Sequence, residues 1–138
     1  MIKIEELTNE ELSIAVAARV MEWKIIRFED GLIIAQTGSG ELVDEKILAN
    51  TEWKRDITCL WSPSTNIAHA FQVDKPWWEW SCIELHHIGS LAVKIWTDRG
   101  ARGWLATVVI PLDPANKNAA YCRGRCITAL KACGVEEA

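Results

Sequence analysis

The residues best suited to hold a charged ligand stand in two short segments, of which the first is the loop 98–103. It carries Arg99 and Arg102, and each is followed directly by a glycine, Gly100 or Gly103. Glycines let the backbone fold around an anion, and an arginine guanidinium makes paired hydrogen bonds to phosphate. The same pattern is typical of a solvated hairpin loop, so the sequence leaves an anion site and a plain loop as alternatives.

The second segment is the run Ser64, Thr65 and Asn66, which stands immediately before a predicted helix. Backbone N–H groups at the start of a helix have no partner within the helix, and they bind phosphate readily. The same three residue types are also the commonest helix caps. We therefore expect either a ligand-binding helix start or simple capping.

Tryptophan is the unusual residue of this chain, with eight copies against one tyrosine and two phenylalanines. Three of them, Trp77, Trp78 and Trp80, follow Pro76. Strand alternation sends Trp78 and Trp80 to one face and Trp77 to the other. Exposed tryptophan serves protein interfaces and base stacking. A stacking platform, an interface between subunits and core packing all remain open for this cluster.

Histidine and cysteine give no convincing metal or catalytic site. His86 and His87 are adjacent on a predicted strand, so their side chains face opposite sides. Cys122, Cys126 and Cys133 share one face of the last predicted helix, where cysteine packs as a small apolar residue more readily than it binds metal. With no catalytic triad or P-loop, we expect no metal, no cofactor and no enzymatic activity.

Composition indicates an ordinary globular protein. The chain has 138 residues, 49% of them hydrophobic, with a net charge of −4, which fits one domain spanning 1–138. Its mild acidity argues against non-specific binding to nucleic acid. No apolar run approaches the roughly 18 residues of a membrane span. The first residues do not resemble a signal peptide, and five cysteines are an odd number, so we expect reduced thiols and a cytoplasmic location.

Local signals predict the elements in order. Thr8 and Glu11 form a capping-box pattern ahead of a helix at 9–22, and Gly134 follows the last helix. The predicted elements are a helix at 9–22, strands at 23–28 and 32–36 around Asp30-Gly31, a short helix at 44–49, a helix that follows the start signal at 62–66 and ends before Pro76, strands at 80–88, 91–97 and 104–110, and a helix at 115–132.

This order predicts an α+β fold with an antiparallel sheet and about three helices. The strand 104–110 is almost continuously apolar, which favours a central position with both faces covered. Six residues on apolar faces are predicted to be buried: Val16, Val20, Ile67, Phe71, Val108 and Leu130.

Three stretches together resemble the phage ABA sandwich domain family. They are 11–24, which ends in a Val-Met-x-Trp pattern, 61–71, which contains the helix start, and 118–130, which contains a Cys-Arg pair. Asn66 stands where the family has Asp, and Phe71 where Trp is usual. The resemblance implies an alpha-beta-alpha sandwich and a phage or prophage origin. The family has no agreed activity, so it implies no catalytic residue.

These observations lead to three hypotheses about function, in decreasing order of support. The first is a phage or prophage accessory protein that binds and sequesters a nucleotide-derived small molecule, such as a host immune signal, without turnover. Tryptophan would stack on the base, while arginine and helix N–H groups hold the phosphates. The alternative is a protein–protein interaction module that inhibits a host protein or assembles into a homo-oligomer through the tryptophans. Hydrolysis of cyclic nucleotides by His86 or His87 is the least favoured.

Overall fold

The structure is a computed structural model that describes residues 2–27, 33–36, 61–85, 87–97 and 104–138. Several sequence predictions lie outside these residues. They are the Asp30-Gly31 turn, the helix at 44–49, His86, and the loop 98–103 with Arg99 and Arg102.

The described residues form an α+β fold with antiparallel strand pairing, which confirms the predicted fold class. The elements are α1 (Asn9–Arg19), β1 (Lys24–Arg27), β2 (Ile33–Gln36), α2 (Ile67–Gln72), β3 (Glu79–Leu85), β4 (Ser90–Trp96), β5 (Trp104–Pro111) and α3 (Lys117–Ala132). No helix in these ranges is both long enough and apolar enough to cross a membrane.

Helix α1 begins where the sequence predicts it, through hydrogen bonds between a cap and its own first turn. The N–H of Glu11 donates to Oγ1 of Thr8 over 3.2 Å, and the N–H of Thr8 donates to Oε1 of Glu11 over 3.1 Å. The helix ends at Arg19, earlier than expected. Glu22 has a positive φ of 58°, and the chain folds back so that the N–H of Trp23 reaches the carbonyl of Ala17.

The described strands of the main sheet have the order β3-β4-β5, so β4 is the central one of the three. The prediction that 104–110 is central is therefore wrong. On β4, the consecutive residues Leu91, Ala92 and Val93 are all buried, as expected for a strand that is paired on both sides. On β5, by contrast, Val109 is 55% exposed. Its side chain lies on the face of the strand that points away from α3, and no described element covers that face.

Helix α3 packs directly on β4 and β5, and both α1 and α2 pack on α3. The closest approach is at Gly124, where a Cβ atom would lie 2.9 Å from Cγ2 of Val93 and 3.1 Å from Cδ1 of Ile110. The small β1–β2 hairpin contacts α1. Helices thus cover one face of the sheet, and the second helical layer of an alpha-beta-alpha sandwich is not among the described residues.

Most of the predicted core is confirmed. Val16, Val20, Val108 and Leu130 are buried, whereas Ile67 is half-buried. The prediction for Phe71 is wrong, because its side chain is 61% exposed. Helix α2 has only six residues and ends at Gln72, so its contribution to the interior is Ala70, together with the following Val73.

The two ends of the described chain pair with each other. Ile2 and Ala138 exchange backbone hydrogen bonds of 3.2 and 3.0 Å, and the N–H of Ile4 donates to the carbonyl of Glu136. Lys3 and Glu137 face each other in this short antiparallel bridge. Ile4 and Val135 beside it are buried, so the first and last residues close one end of the core.

Candidate ligand-binding cleft

A cleft of about 370 Å³ lies between the start of α1, the turn before α2 and the start of α3. Pockets for small molecules usually begin at about 300 Å³, so this volume can hold one. Its lining residues combine apolar and polar side chains: Asn9, Ser64, Thr65, Ile110, Pro111, Asp113, Asn116, Ala119, Ala120 and Arg123.

Arg123 supplies the positive charge of the cleft. Its Nη1 donates to Oδ1 of Asn9 over 3.0 Å, and its Nη2 donates to the carbonyls of Glu5 and Leu7 over 2.9 and 2.8 Å. These acceptors are neutral, so they fix the guanidinium without cancelling its charge. The side chain is half-buried, where an anion would be screened less by water than at an exposed arginine.

Polar groups of the segment before α3 form another side of the cleft. Oδ1 of Asn116 accepts the N–H of Ala119 over 3.1 Å, and Oδ1 of Asp113 accepts the N–H of Ala115 over 2.9 Å. Asp113 is exposed, and its carboxylate can accept hydrogen bonds from ligand hydroxyl or amino groups. Opposite charges on two sides suit a ligand that carries both a phosphate and hydrogen-bond donors.

Ser64 positions the turn that forms the third side. Its hydroxyl donates to the carbonyl of Asn9 over 2.6 Å and lies 2.7 Å from Oγ of Ser13. The N–H of Ser64 also donates to Oγ of Ser13 over 3.3 Å. Because Ser64 is buried, it anchors the turn to α1, while the exposed Thr65 is the residue that can meet a ligand.

Asn66 caps α2. Its Oδ1 accepts the N–H groups of Ala68 and His69 over 2.9 and 3.2 Å. The N–H groups of Thr65 and Asn66 both donate to the carbonyl of Ser62. Four backbone donors at this helix start are thus engaged within the protein, and Asn66 does not line the cleft.

The tryptophan cluster lies apart from the cleft. Trp78 is buried and meets Trp80 edge-on, with ring centres 5.9 Å apart. Nε1 of Trp80 donates to Oδ1 of Asp74, and Cζ of Arg125 lies 3.7 Å from the centre of the Trp80 ring. These contacts occupy the rings that base stacking would require.

Trp77 differs from its two neighbours because it is 40% exposed. Nζ of Lys75 lies 5.7 Å from the centre of its ring. None of the three tryptophans lines the cleft. The structure therefore brings Ser64 and Thr65 together with Arg123 but not with the tryptophans, and Arg99 and Arg102 lie outside the described residues.

Of the residues that line the cleft, the sequence predicts only Ser64 and Thr65 as ligand contacts; the polar residues that it does not predict are Asn9, Asp113, Asn116 and Arg123. Asp113 and Asn116 could have been predicted, because they flank the predicted start of the last helix. Arg123 follows that start by two helical turns, on the side of α3 that faces α1. Its partners precede it by 114 to 118 positions, so no local pattern could place it there.

A second depression of about 510 Å³ runs along α1 beside the end of the chain. It is lined largely by apolar side chains of Leu7, Ile14, Ala15 and Ala18, together with Glu11, Arg19 and the last two residues. The Glu11 carboxylate is already engaged by Thr8, and these hydrogen bonds lower its pKa. This depression offers fewer convergent polar groups than the cleft.

Within the described ranges, no three of the His, Cys, Asp and Glu side chains are placed to hold a metal ion. Cys122 and Cys126 are buried, and burial raises the pKa of both thiols, that of Cys126 strongly. These thiols stay protonated at neutral pH and pack as small apolar groups.

The chain matches no family model, no curated protein and no solved structure.

Proposed function

We propose that this protein binds a nucleotide-derived small molecule in the cleft and holds it without chemical change. In this proposal it is a phage or prophage accessory protein that sequesters such a molecule in the host cytoplasm. The observation that carries the proposal is the position of Arg123, a fixed and half-buried cation on a cleft that also offers Thr65, Asn116 and Asp113.

The residue chemistry supports this class of ligand. A phosphate would be attracted by the charge of Arg123, whose Nη1 has one N–H beyond its bond to Asn9, while a ribose hydroxyl or a base amino group can donate to Asp113. Ile110, Pro111 and Ala119 supply apolar surface against which a base or sugar can lie. A binding site of this kind needs no nucleophile or general base.

Calorimetric titration with AMP, ADP-ribose and a panel of cyclic dinucleotides tests the proposal. Ala119→Phe fills the cleft without removing the backbone hydrogen bond to Asn116, and it should reduce affinity by at least about tenfold. Asn118→Phe is the matched control, because this exposed neighbour on the same helix does not line the cleft. Equal affinity of the two variants for a compound would exclude the cleft as its binding site. If no compound binds the wild type, the proposal is refuted.

The absence of turnover is tested on the ligand itself. After heat denaturation of the complex, the bound compound should be recovered intact and in a stoichiometric amount. Recovery of a cleaved or hydrolysed product would identify an enzyme instead.

The face of the sheet that no described element covers favours a second candidate function, self-association. Ile83, Ala92 and Val109 form one cross-strand row on this face, in which Ile83 and Val109 are exposed on either side of the small, buried Ala92. The resulting ridge–trough–ridge profile can interlock with a second copy about a two-fold axis. Glu79 and Lys94 place both signs of charge on the same face.

Light scattering at micromolar concentration tests this candidate. The wild type should be a dimer, and Val109→Asp should be a folded monomer. A monomeric wild type would refute self-association through this face.

A further inference from the structure

His69 is joined to the turn that forms one side of the cleft. The N–H of Ser62 donates to Nδ1 of His69 over 2.9 Å. The carbonyl of the same Ser62 accepts the N–H groups of Thr65 and Asn66. One residue thus connects the imidazole of α2 to the backbone that carries Thr65.

The hydrogen bond requires the neutral form of the imidazole. Nδ1 can accept the Ser62 N–H only as a lone pair, so the ring proton must be on Nε2. In the imidazolium both nitrogens are donors, and two N–H groups would then face each other across this contact. The half-buried position of the ring acts in the same direction, because desolvation lowers the pKa of His69 from its ordinary value of 6.5.

The charged groups on the neighbouring elements lie at the other end of α2. Arg125 of α3 binds the carbonyls of Ala70 and Val73, and Asp74 and Lys75 follow the helix. None of these charges contributes to the shift of the His69 pKa, which burial explains. Among the described residues, the Ser62 N–H is therefore the group that loses its acceptor when His69 is protonated.

We propose that protonation of His69 releases the Ser62–Asn66 turn and thereby opens the cleft on acidification. This inference rests on the proposed function for its ligand, but the conformational step is a property of the protein alone. Ser64 keeps its anchors on Ser13 and Asn9, so the change is confined to the part of the turn that carries Thr65 rather than unfolding the domain.

The sign of the pH dependence follows from the lowered pKa. The unfolded chain takes up a proton near the ordinary value, whereas the folded protein resists protonation until a lower pH. The contribution of His69 to stability is therefore complete above the ordinary value and is lost as the pH falls toward the folded-state pKa.

Nuclear magnetic resonance of the ligand-free protein tests the conformational step. Between about pH 7.5 and pH 5, the Ser62 and Thr65 amide signals should shift with the same midpoint as the His69 ring. In His69→Gln, which keeps an acceptor but cannot titrate, these amide shifts should disappear. In the control His87→Gln, which alters an exposed histidine of the β3–β4 turn, they should persist. Amides that do not move while the His69 ring titrates would refute the switch.

A titration with AMP at both pH values tests the effect on the cleft. The phosphate of AMP itself titrates near pH 6, so the quantity compared is the ratio of affinities between wild type and His69→Gln at each pH. The affinity of His69→Gln relative to that of the wild type should be at least about fivefold higher at the lower pH than at the higher pH. A ratio that is the same at both pH values would refute control of the cleft by His69. If AMP binds neither protein at either pH, the binding proposal fails for AMP, while the amide titration still decides the switch.

Discussion

The guanidinium carbon of Arg125 lies 3.7 Å from the centre of the Trp80 ring, so a tryptophan of β3 is covered by a buried cation of α3. The same side chain donates to the carbonyls of Ala70 and Val73 at the end of α2 and to the hydroxyl of Tyr121. Within the described part of the chain, no carboxylate pairs with it. Neutral carbonyls and an aromatic face solvate this charge and join three elements.

Arg125→Met should destabilise the fold by about 2–4 kcal/mol, because two buried carbonyls lose their donor. Arg125→Lys should recover only part of this loss, since one ammonium cannot reproduce the planar set of donors. Urea denaturation measures both values. Arg19→Met, an exposed arginine in the last turn of α1, should change stability by less than about 0.5 kcal/mol. Equal losses at the two positions would show that Arg125 has no special role.

Gly124→Ala should destabilise the protein by about 1–3 kcal/mol, although alanine is the better helix former. The new methyl group would lie 2.9 Å from the Cγ2 atom of Val93, a β-branched side chain that is buried on the central strand. Thermal unfolding measures the effect. Val93→Ala in the same chain should offset part of the loss that Gly124→Ala causes. An increase in melting temperature in Gly124→Ala alone would contradict the close packing of α3 on the sheet.

Val108→Asp should cost several kcal/mol or prevent folding, because Val108 faces the core and a carboxylate there would be unpaired. The adjacent Val109→Asp is the matched control, since its exposed side chain is on the face that no described element covers. At dilute concentration, where self-association does not contribute, it should cost less than about 1 kcal/mol. A larger loss of stability in Val109→Asp than in Val108→Asp would show that the opposite face of β5 lies in the core.

The rate of thiol labelling should distinguish the exposed cysteine from the buried ones. In the native protein Cys82, which is exposed, should react with a maleimide, whereas Cys122 and Cys126 should react only after unfolding. Burial also raises the pKa of Cys82, so its reaction should be slower than that of a free thiol at neutral pH. Peptide mapping by mass spectrometry assigns the label. Rapid native labelling of Cys126 would contradict the packing of α3.

The double variant Arg99→Ala/Arg102→Ala decides whether the loop 98–103 takes part in binding. If both arginines meet the ligand, affinity should fall by roughly 2–5 kcal/mol with little change in folding. If the cleft alone binds the ligand, affinity should stay within about threefold of the wild type. Calorimetry with the compound that binds best distinguishes these two outcomes.

The sequence predicts the start of α1 and the end of α3 well, because interactions between residues close in the sequence determine them. The Thr8–Glu11 capping box and the glycine at Gly134, which has a φ of 80°, involve neighbours a few positions apart. The central strand was harder to predict. The runs 91–97 and 104–110 are both rich in apolar residues, and the sequence cannot show which of them has partners on both sides.

The cleft was predicted only in part for the same physical reason. Ser64 and Thr65 stand out because residues of these types precede a helix. Arg123 lines the cleft because the start of the chain folds onto α3, and that contact joins residues more than a hundred positions apart. Helical spacing alone predicts that Phe71 is in the core, but such spacing does not reveal that α2 is too short to bury its ring.

The packing of α1 on α3 has a consequence for how the protein is made. Leu12 and Val16 of α1 are buried in one cluster with Cys126 and Leu130 of α3, so the apolar side of α1 lacks the cover that α3 provides until residues near 130 have been synthesised. A truncated chain would leave these side chains in water. We therefore expect nascent chains that lack α3 to remain incompletely folded and to depend on chaperones.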